Sequence, residues 1–472
     1  MAPVGRAVTD RITLLSGRFK HLAALGALAL IAFVSLTLST EEWTPIADET
    51  AYLNAAYNLV HHGTVSTRGD VRPVSPTADR EPGYPVFIAA IMLLDPGLGK
   101  FTPACNAPPD PKCAPYYRSL QYANSFLIVL TGILLFSTVC IVTGRYPPAY
   151  IAALLIFLNV EANEMRQEML SDYLALAITA GAMLCFAFAF VRHWRVGWLL
   201  AGLALAALSL TKAVFFYFTV PLLIAATAVS LIGWRGLGRK TAVALVLITI
   251  GYAPPVGAWM ARNIAEFDTF VITEGRGGLA LSAREIFNDM TPGEYAIAFL
   301  WWTRAMGDNL VRTHFPLSSY RRFQEHAKDG FYNFGHARYS RLVALEMRKP
   351  GVTSGQATTA VDREFIRKIL TNLPVHLLTT LPVFYRGIWV DEFIVLTLPA
   401  LLWLIWVSLR RREPLVLALL APGVFSLLFY ALVSINIPRY QLTALPALAF
   451  AGGIAGALLI ERWRRRKGRT RA

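Results

Sequence analysis

Two adjacent carboxylates, Asp48 and Glu49, follow the first long apolar run of the sequence, and Arg80-Glu81-Pro82-Gly83-Tyr84-Pro85 comes later in the same polar stretch. The apolar run, His21 to Ser39, is long enough to cross a bilayer, so the acids emerge at the lipid-water boundary. A carboxylate at that depth can take a proton from a hydroxyl, and an arginine can grip a phosphate with two parallel N–H donors. The set suits chemistry on a lipid-borne head group. It also suits a plainer role. Ala51-Tyr52-Leu53, Ala55-Ala56-Tyr57 and Leu59-Val60 recur at helical spacing with Asn54 and Asn58 on another face, which predicts an amphipathic helix at the membrane. Asp48 and Glu49 then lie in its first turn, where acids stabilise the helix dipole. Arg80-Glu81 likewise reads as a local ion pair before a Pro-Gly turn.

The elements around these residues belong to a membrane. Of 472 residues 55% are hydrophobic and 16% charged, and the mean hydropathy is +0.47, with the apolar residues gathered in blocks of span length. The net charge of +15 lies in short tracts beside those blocks: Arg192 to Arg195, Arg235 to Lys240, Arg410 to Arg412 and Arg462 to Arg471. Under the positive-inside rule these are cytoplasmic anchors. No aromatic-basic module accompanies them, which excludes nucleic acid as a partner. No phosphate-binding glycine loop appears either, so a cytosolic nucleotide-sugar donor is excluded.

Threading by those anchors predicts an all-α, polytopic bundle of about ten spans with both termini cytoplasmic. Residues 1–20 form an inner N terminus carrying Arg6, Arg11, Arg18 and Lys20; 21–260 form a bundle that includes an outer loop, 40–117; 261–392 form a second outer region; 393–460 return through the membrane; and 461–472 are a basic tail. The spans fall near 21–39, 118–141, 147–160, 171–191, 196–210, 213–233, 241–260, 393–409, 414–434 and 440–460. Residues 371–390 read as a surface or re-entrant segment, since one more crossing would put Arg410 to Arg412 outside. The second outer region balances 16 Lys/Arg against 14 Asp/Glu, which fits a catalytic or acceptor-binding surface. Leu36-Thr37-Leu38-Ser39 lacks a small-x-small cleavage pattern, so the first span is expected to stay as an anchor.

Cys140 and Cys185 fall inside spans and read as inert core residues, whereas Cys105 and Cys113 share an outer loop and admit a disulfide if that side is oxidising. His61-His62 reads as the polar end of a surface helix rather than as metal ligands. Lys212 lies at a span boundary among apolar residues, Arg262 leaves a span, and Arg439 stands between Pro438 and Tyr440. Each is a phosphate ligand or a cation settled at the interface. Glu164, Glu168 and Asp172 surround an outer turn, with a solvated role the plainer one for the two glutamates.

In order and placement these residues resemble the GT-C membrane glycosyltransferases, in particular the protein O-mannosyltransferase and lipid A aminoarabinose transferase group. The acidic pair after the first span, Tyr52 and its helix ending in His-Gly, Arg80 to Pro85, Ser171-Asp172, Leu210-Thr211-Lys212, Ala261-Arg262-Asn263 and Pro438-Arg439-Tyr440 carry the resemblance. It implies a GT-C bundle with amphipathic juxtamembrane helices, and transfer of a sugar from a polyprenyl-phosphate monosaccharide to a lipid, glycan or protein acceptor, with inversion. It further implies Asp48 as base and Glu49 as supporting acid, Lys212, Arg262, Arg439 and Arg80 on the donor phosphate, and Glu81, Tyr84, Asp172 and Tyr52 on the substrate. Mutual repulsion would raise one pKa of the adjacent acids.

The setting implied is the bacterial inner membrane, with membrane lipids around the bundle and the site facing the periplasm. No protein metal ligand is assigned, and a divalent cation near the acidic pair stays open. Ala213 stands where many relatives have glycine after the lysine, and Glu81 where relatives often have lysine or proline. A transporter or flippase is the alternative, and a lipid-binding scaffold a third reading. The absence of an internal repeat and of charges deep within spans argues against the transporter.

Overall fold

A computed structural model describes residues 4–69, 73–106, 109–231, 239–304, 306–324 and 327–469, and at 4–18, 229–231, 239–240 and 468–469 the backbone alone. Residues 235–238, the side chains of Arg239 and Lys240, the N-terminal arginine side chains and the end of the tail lie outside the described residues. The first part of the chain forms α1 (Val4–Leu38), α2 (Asp48–His62), α3 (Gly83–Leu94), α4 (Arg118–Thr143), α5 (Tyr146–Phe157), α6 (Val160–Glu164), α7 (Asp172–Val191), α8 (Arg195–Thr211), α9 (Val214–Leu231) and α10 (Arg239–Phe267). A run of helices follows: α11 (Arg276–Ile286), α12 (Pro292–Trp301), α13 (Gly307–His314), α14 (Leu317–Tyr320), α15 (Phe331–Glu346), α16 (Ser354–Thr371) and α17 (Leu373–Ile388). Three long helices close the chain, α18 (Ile394–Arg411), α19 (Pro414–Val433) and α20 (Leu445–Arg469).

Among the described residues seven stretches are long and apolar enough to cross a membrane: 19–38, 111–143, 172–191, 241–267, 394–411, 414–433 and 438–467. The other three expected spans are shorter helices. Of these, α5 has 12 residues and rises about 18 Å, less than the roughly 30 Å of a hydrocarbon core. It still carries the chain from one face of the bundle to the other, since Arg145 before it pairs with Glu461 and Val160 after it meets Glu392, and it does so buried: Ala149, Ala152 and Ala153 let α5 lie close between α4 and α20. By contrast Leu22, Leu30, Ile31 and Leu38 of α1 are exposed, which suits a helix facing lipid.

One end of the bundle carries nearly all the non-spanning structure. Asp172 opens α7 and Lys212 follows α8, and the two touch. Arg262 in the last turns of α10 reaches the 65–77 segment, Glu392 before α18 reaches the start of α6, and Arg439 before α20 reaches Asp48. These contacts define a loop face. Arg166 secures it to α1, donating to the Leu36 carbonyl at 3.0 Å and to the Ser39 carbonyl at 2.7 Å, where the carbonyls at the end of a helix lack partners. The exposed tracts 192–195, 410–412 and 462–467 lie at the opposite face, where Arg145 pairs with Glu461.

One expectation for the loop face changes on folding. The asparagine side of α2 does not face solvent: Asn58 is buried and donates to the Ser66 and Arg68 carbonyls at 2.8 and 2.9 Å, and Asn54 donates to Thr67 at 3.2 Å. That face holds the returning chain. Within 371–390, α17 buries His376, Thr379, Val383 and Gly387 while Leu373, Leu377, Leu378 and Leu381 are exposed, so one side packs on the bundle and the other is apolar and open.

Candidate active site

Asp48 stands at the start of α2 with guanidinium groups on both carboxylate oxygens. Arg80 donates to Oδ1 at 2.8 Å, Arg276 to Oδ2 at 3.0 Å, and Arg439 lies 3.9 Å from Oδ2. Three distant parts of the chain supply these groups: the turn before α3, the start of α11 and the segment before α20. Glu168 holds Arg439 from the other side at 3.0 Å, and its own position is set by Asn124, which donates to the Arg166 and Glu168 carbonyls. Burial alone would raise the Asp48 pKa, but Arg276 and Arg80, with Arg439 behind them, hold it below the ordinary carboxylate value. The Nε groups of Arg80 and Arg439 are buried and have no hydrogen-bond partner among the described residues.

Glu49 points the other way. Its carboxylate is buried and accepts from Trp43 Nε1 at 2.9 Å, the Ile46 N–H at 2.9 Å and the Met169 N–H at 2.6 Å, tying the 43–49 loop to the turn before α7. Burial pushes its pKa up to about 7 despite those donors, with the charge of Glu168 adding to the rise. The adjacent acids therefore separate in basicity as expected, but through burial and arginines rather than through their mutual repulsion.

Glu81 is a structural ligand in this arrangement. It is buried and accepts from the Ala213 N–H at 3.0 Å, which fastens the turn before α3 to the residue after Lys212. Gly83 completes the contact: a Cβ there would lie 2.5 Å from Thr211 Oγ1 and 2.8 Å from the Leu210 carbonyl oxygen. Tyr84 is fully buried and meets Tyr52 edge to face at 5.1 Å; the Tyr52 hydroxyl lies 3.4 Å from Ser171 Oγ, and Arg80 sits over the Tyr52 ring at 5.6 Å. The motif 80–85 thus seats Arg80 on Asp48.

Lys212 and Asp172 form a closed pair at 2.5 Å, each side chain 8% exposed, with the rings of Tyr430 and Tyr440 at 5.6 and 5.9 Å from the lysine. The partner that a boundary lysine requires is thus a carboxylate of the chain itself. Arg262 stands apart from the Asp48 cluster in its contacts: it donates to the Thr77 and Val65 carbonyls and to Asn263, with Trp259 and Phe267 beside it. It anchors the first loop.

Arg276 was not legible as a functional residue. Its one sequence signal is the run Gly275-Arg276-Gly277-Gly278, a helix start with an arginine among glycines, in a region whose charges otherwise balance. No group of three or more metal-ligating side chains occurs among the described residues. The carboxylate of Asp48 meets three cations and that of Glu49 meets N–H donors, so the pair does not suit a divalent cation. Cys105 and Cys113 are joined as a disulfide; Cys140 and Cys185 are free and half-buried.

Comparison with known proteins bears on this geometry. Residues 85–270 match the family described as dolichyl-phosphate-mannose-protein mannosyltransferase. In structure, 96% of the chain superposes on the archaeal oligosaccharyltransferase AglB from Archaeoglobus fulgidus, solved with an inhibitory peptide and a dolichol-phosphate, at a TM-score of 0.51 and 13% identity. The chain has a GT-C-type fold. It spans 52% of the AglB chain. ArnT from Cupriavidus metallidurans resembles the chain more distantly, at a TM-score of 0.39 over 92% of its length, with 12% identity and 78% of ArnT covered in the apo state. In the undecaprenyl phosphate-bound state the values are 14% and 77%, again at 0.39. No curated protein matches the sequence.

Proposed function

We propose that this GT-C chain is an inverting glycosyltransferase that moves a sugar from a polyprenyl-phosphate monosaccharide to an acceptor hydroxyl at its loop face. The observation that carries the reading is the cluster at Asp48. Three arginines against Asp48 and Glu168 leave an excess of one positive charge, and two guanidinium groups keep a buried N–H without a partner. An anion with several acceptor oxygens, such as a lipid phosphate, satisfies both. The family match over 85–270 supports the donor class.

In the transfer, the acceptor oxygen bonds to the anomeric carbon from the face opposite the phosphate while the carbon-oxygen bond to phosphate breaks. The bonding pair leaves on the phosphate oxygen and the acceptor proton goes to Asp48. A carboxylate gripped by guanidinium groups is a weak base. The donor phosphate, a diester with one negative charge, would compete for Arg80, Arg276 and Arg439, so that Asp48 would regain basicity as the donor is seated. The second negative charge that develops as the sugar leaves would fall on the same guanidinium groups. Leaving-group stabilisation and base activation are then one event.

The basic tracts at the opposite face and the Cys105–Cys113 disulfide support a periplasmic loop face in a bacterial inner membrane. The Lys212–Asp172 pair lies at helix ends rather than mid-membrane, so it does not favour a transporter. Mass analysis of lipid extracts tests the proposal. Loss of the protein should cause one polyprenyl-phosphate monosaccharide to accumulate, and restoring it should consume that lipid. Unchanged lipid-linked sugars, together with no consumption by the purified protein, would overturn the reading.

A further inference from the structure

Helix α15 brings to this site two rings that the transfer scheme does not use. Tyr332 and His336 are one turn apart, with ring centroids 4.1 Å apart and planes tilted by 44°. The other side of α15 fixes them. Phe331, Gly335 and Tyr339 are buried, Ser282 Oγ donates to the Gly335 carbonyl at 2.7 Å, and a Cβ at Gly335 would lie 2.5 Å from the Ala283 Cα. Only glycine lets α15 lie so close to α11. That helix opens with Arg276, so the rings ride on the element that delivers a guanidinium to Asp48.

The charges of Asp48 and Arg276 act on both rings, and that of Arg439 on Tyr332, which puts the pair within electrostatic reach of the cluster. Among the described residues neither the Tyr332 hydroxyl nor the His336 nitrogens have a hydrogen-bond partner, and Tyr332 is 38% exposed. Burial holds the imidazole below its ordinary pKa, and a neutral ring keeps one donor and one acceptor nitrogen.

We propose that Tyr332 and His336 form the acceptor side of the site and hold a sugar ring with a hydroxyl turned toward Asp48. A pyranose has an apolar face that packs on an aromatic ring and hydroxyls that suit a phenol and an imidazole. A peptide serine offers only a single hydroxyl. The inference rests on the glycosyl-transfer reading for what the bound sugar does, while binding itself is measurable without turnover.

The experiment is saturation-transfer NMR on the full chain in nanodiscs, with methyl glycosides of glucose, galactose and mannose and their disaccharides as probes. Ring protons of at least one glycoside should receive saturation from the wild type and from Tyr332→Phe. Tyr332→Ala should weaken that glycoside roughly tenfold, and the Tyr332→Ala/His336→Ala double variant should abolish transfer while binding undecaprenyl phosphate normally. No transfer to any glycoside in the wild type, or equal transfer in the double variant, overturns the proposal. A parallel loss of undecaprenyl phosphate affinity would assign the rings to the fold and overturn it too. A wild type that binds glycoside but consumes no polyprenyl-phosphate sugar would instead sink the glycosyl-transfer reading and leave the sugar site standing.

Discussion

Two charge clusters join the 261–392 region to the bundle, and they are opposites in composition. At one, Asp48 is surrounded by Arg80, Arg276 and Arg439. At the other, Arg304 is surrounded by Glu161 at 3.1 Å, Glu164 at 3.6 Å and Glu392. In the acid-rich cluster Arg304 Nη1 is ion-paired with Glu392, which also accepts the N–H groups of Val160 at 2.6 Å and Glu161 at 2.8 Å. The arginine-rich cluster is not closed: two of its guanidinium groups retain a buried, unpartnered Nε. A cluster that satisfies itself is a clamp, whereas one left with spare donors and a positive excess is suited to an anion.

The largest effect should come from Asp48→Asn, which keeps the side-chain size but cannot take a proton at neutral pH. Turnover of the lipid-linked sugar should fall by about a hundredfold to ten-thousandfold in a folded protein; more than a third of the wild-type rate would place the base elsewhere. Lys212→Met should act on folding instead. It leaves Asp172 buried without its partner, at about 3–5 kcal/mol, and Lys212→Met/Asp172→Leu should recover most of the loss in thermal unfolding. A stable Lys212→Met protein with weakened donor affinity would make Lys212 a phosphate ligand after all.

Arg304→Gln should separate the two clusters. It should cost about 1–3 kcal/mol of stability, read by thermal unfolding, and leave undecaprenyl phosphate affinity unchanged. A change in affinity at wild-type stability would erase the distinction between clamp and anion seat.

The smallest effect is in pH. The Glu49 pKa is raised to about 7 from the ordinary 4.5, so the folded state binds a proton that the unfolded chain releases. That contribution is complete below 4.5 and is lost as pH rises through about 7. The wild-type unfolding temperature should therefore decline across this window more steeply than that of Glu49→Gln. The variant is less stable throughout, since its amide sets an N–H against an N–H donor. Equal slopes would mean that Glu49 is ionised throughout.

Hydropathy is a local property, and it made the bundle legible along with the basic tracts at one face. It did not show that α5 is short and buried, because alanines packed between helices score as apolar just as lipid-facing leucines do. The acids, Arg80 and Arg439 were legible because each sits beside a span or a Pro-bearing turn. Arg276 was not, since its bond to Asp48 joins residues 228 positions apart and no spacing records it. Pairing also decided Lys212 and Arg262. Sequence shows that a boundary cation needs a partner but not which partner, and folding gave these two Asp172 and the loop carbonyls.

The most direct test is the affinity of purified protein for undecaprenyl phosphate in the wild type, Asp48→Asn and Arg276→Gln. If Asp48 and the lipid phosphate compete for the same guanidinium groups, Asp48→Asn binds more tightly than wild type while turning over far more slowly. Arg276→Gln then binds about tenfold or more weakly, as expected for a lost charge-assisted hydrogen bond. Affinity unmoved by either substitution would contradict the account, because the cluster would then be a clamp like that at Arg304.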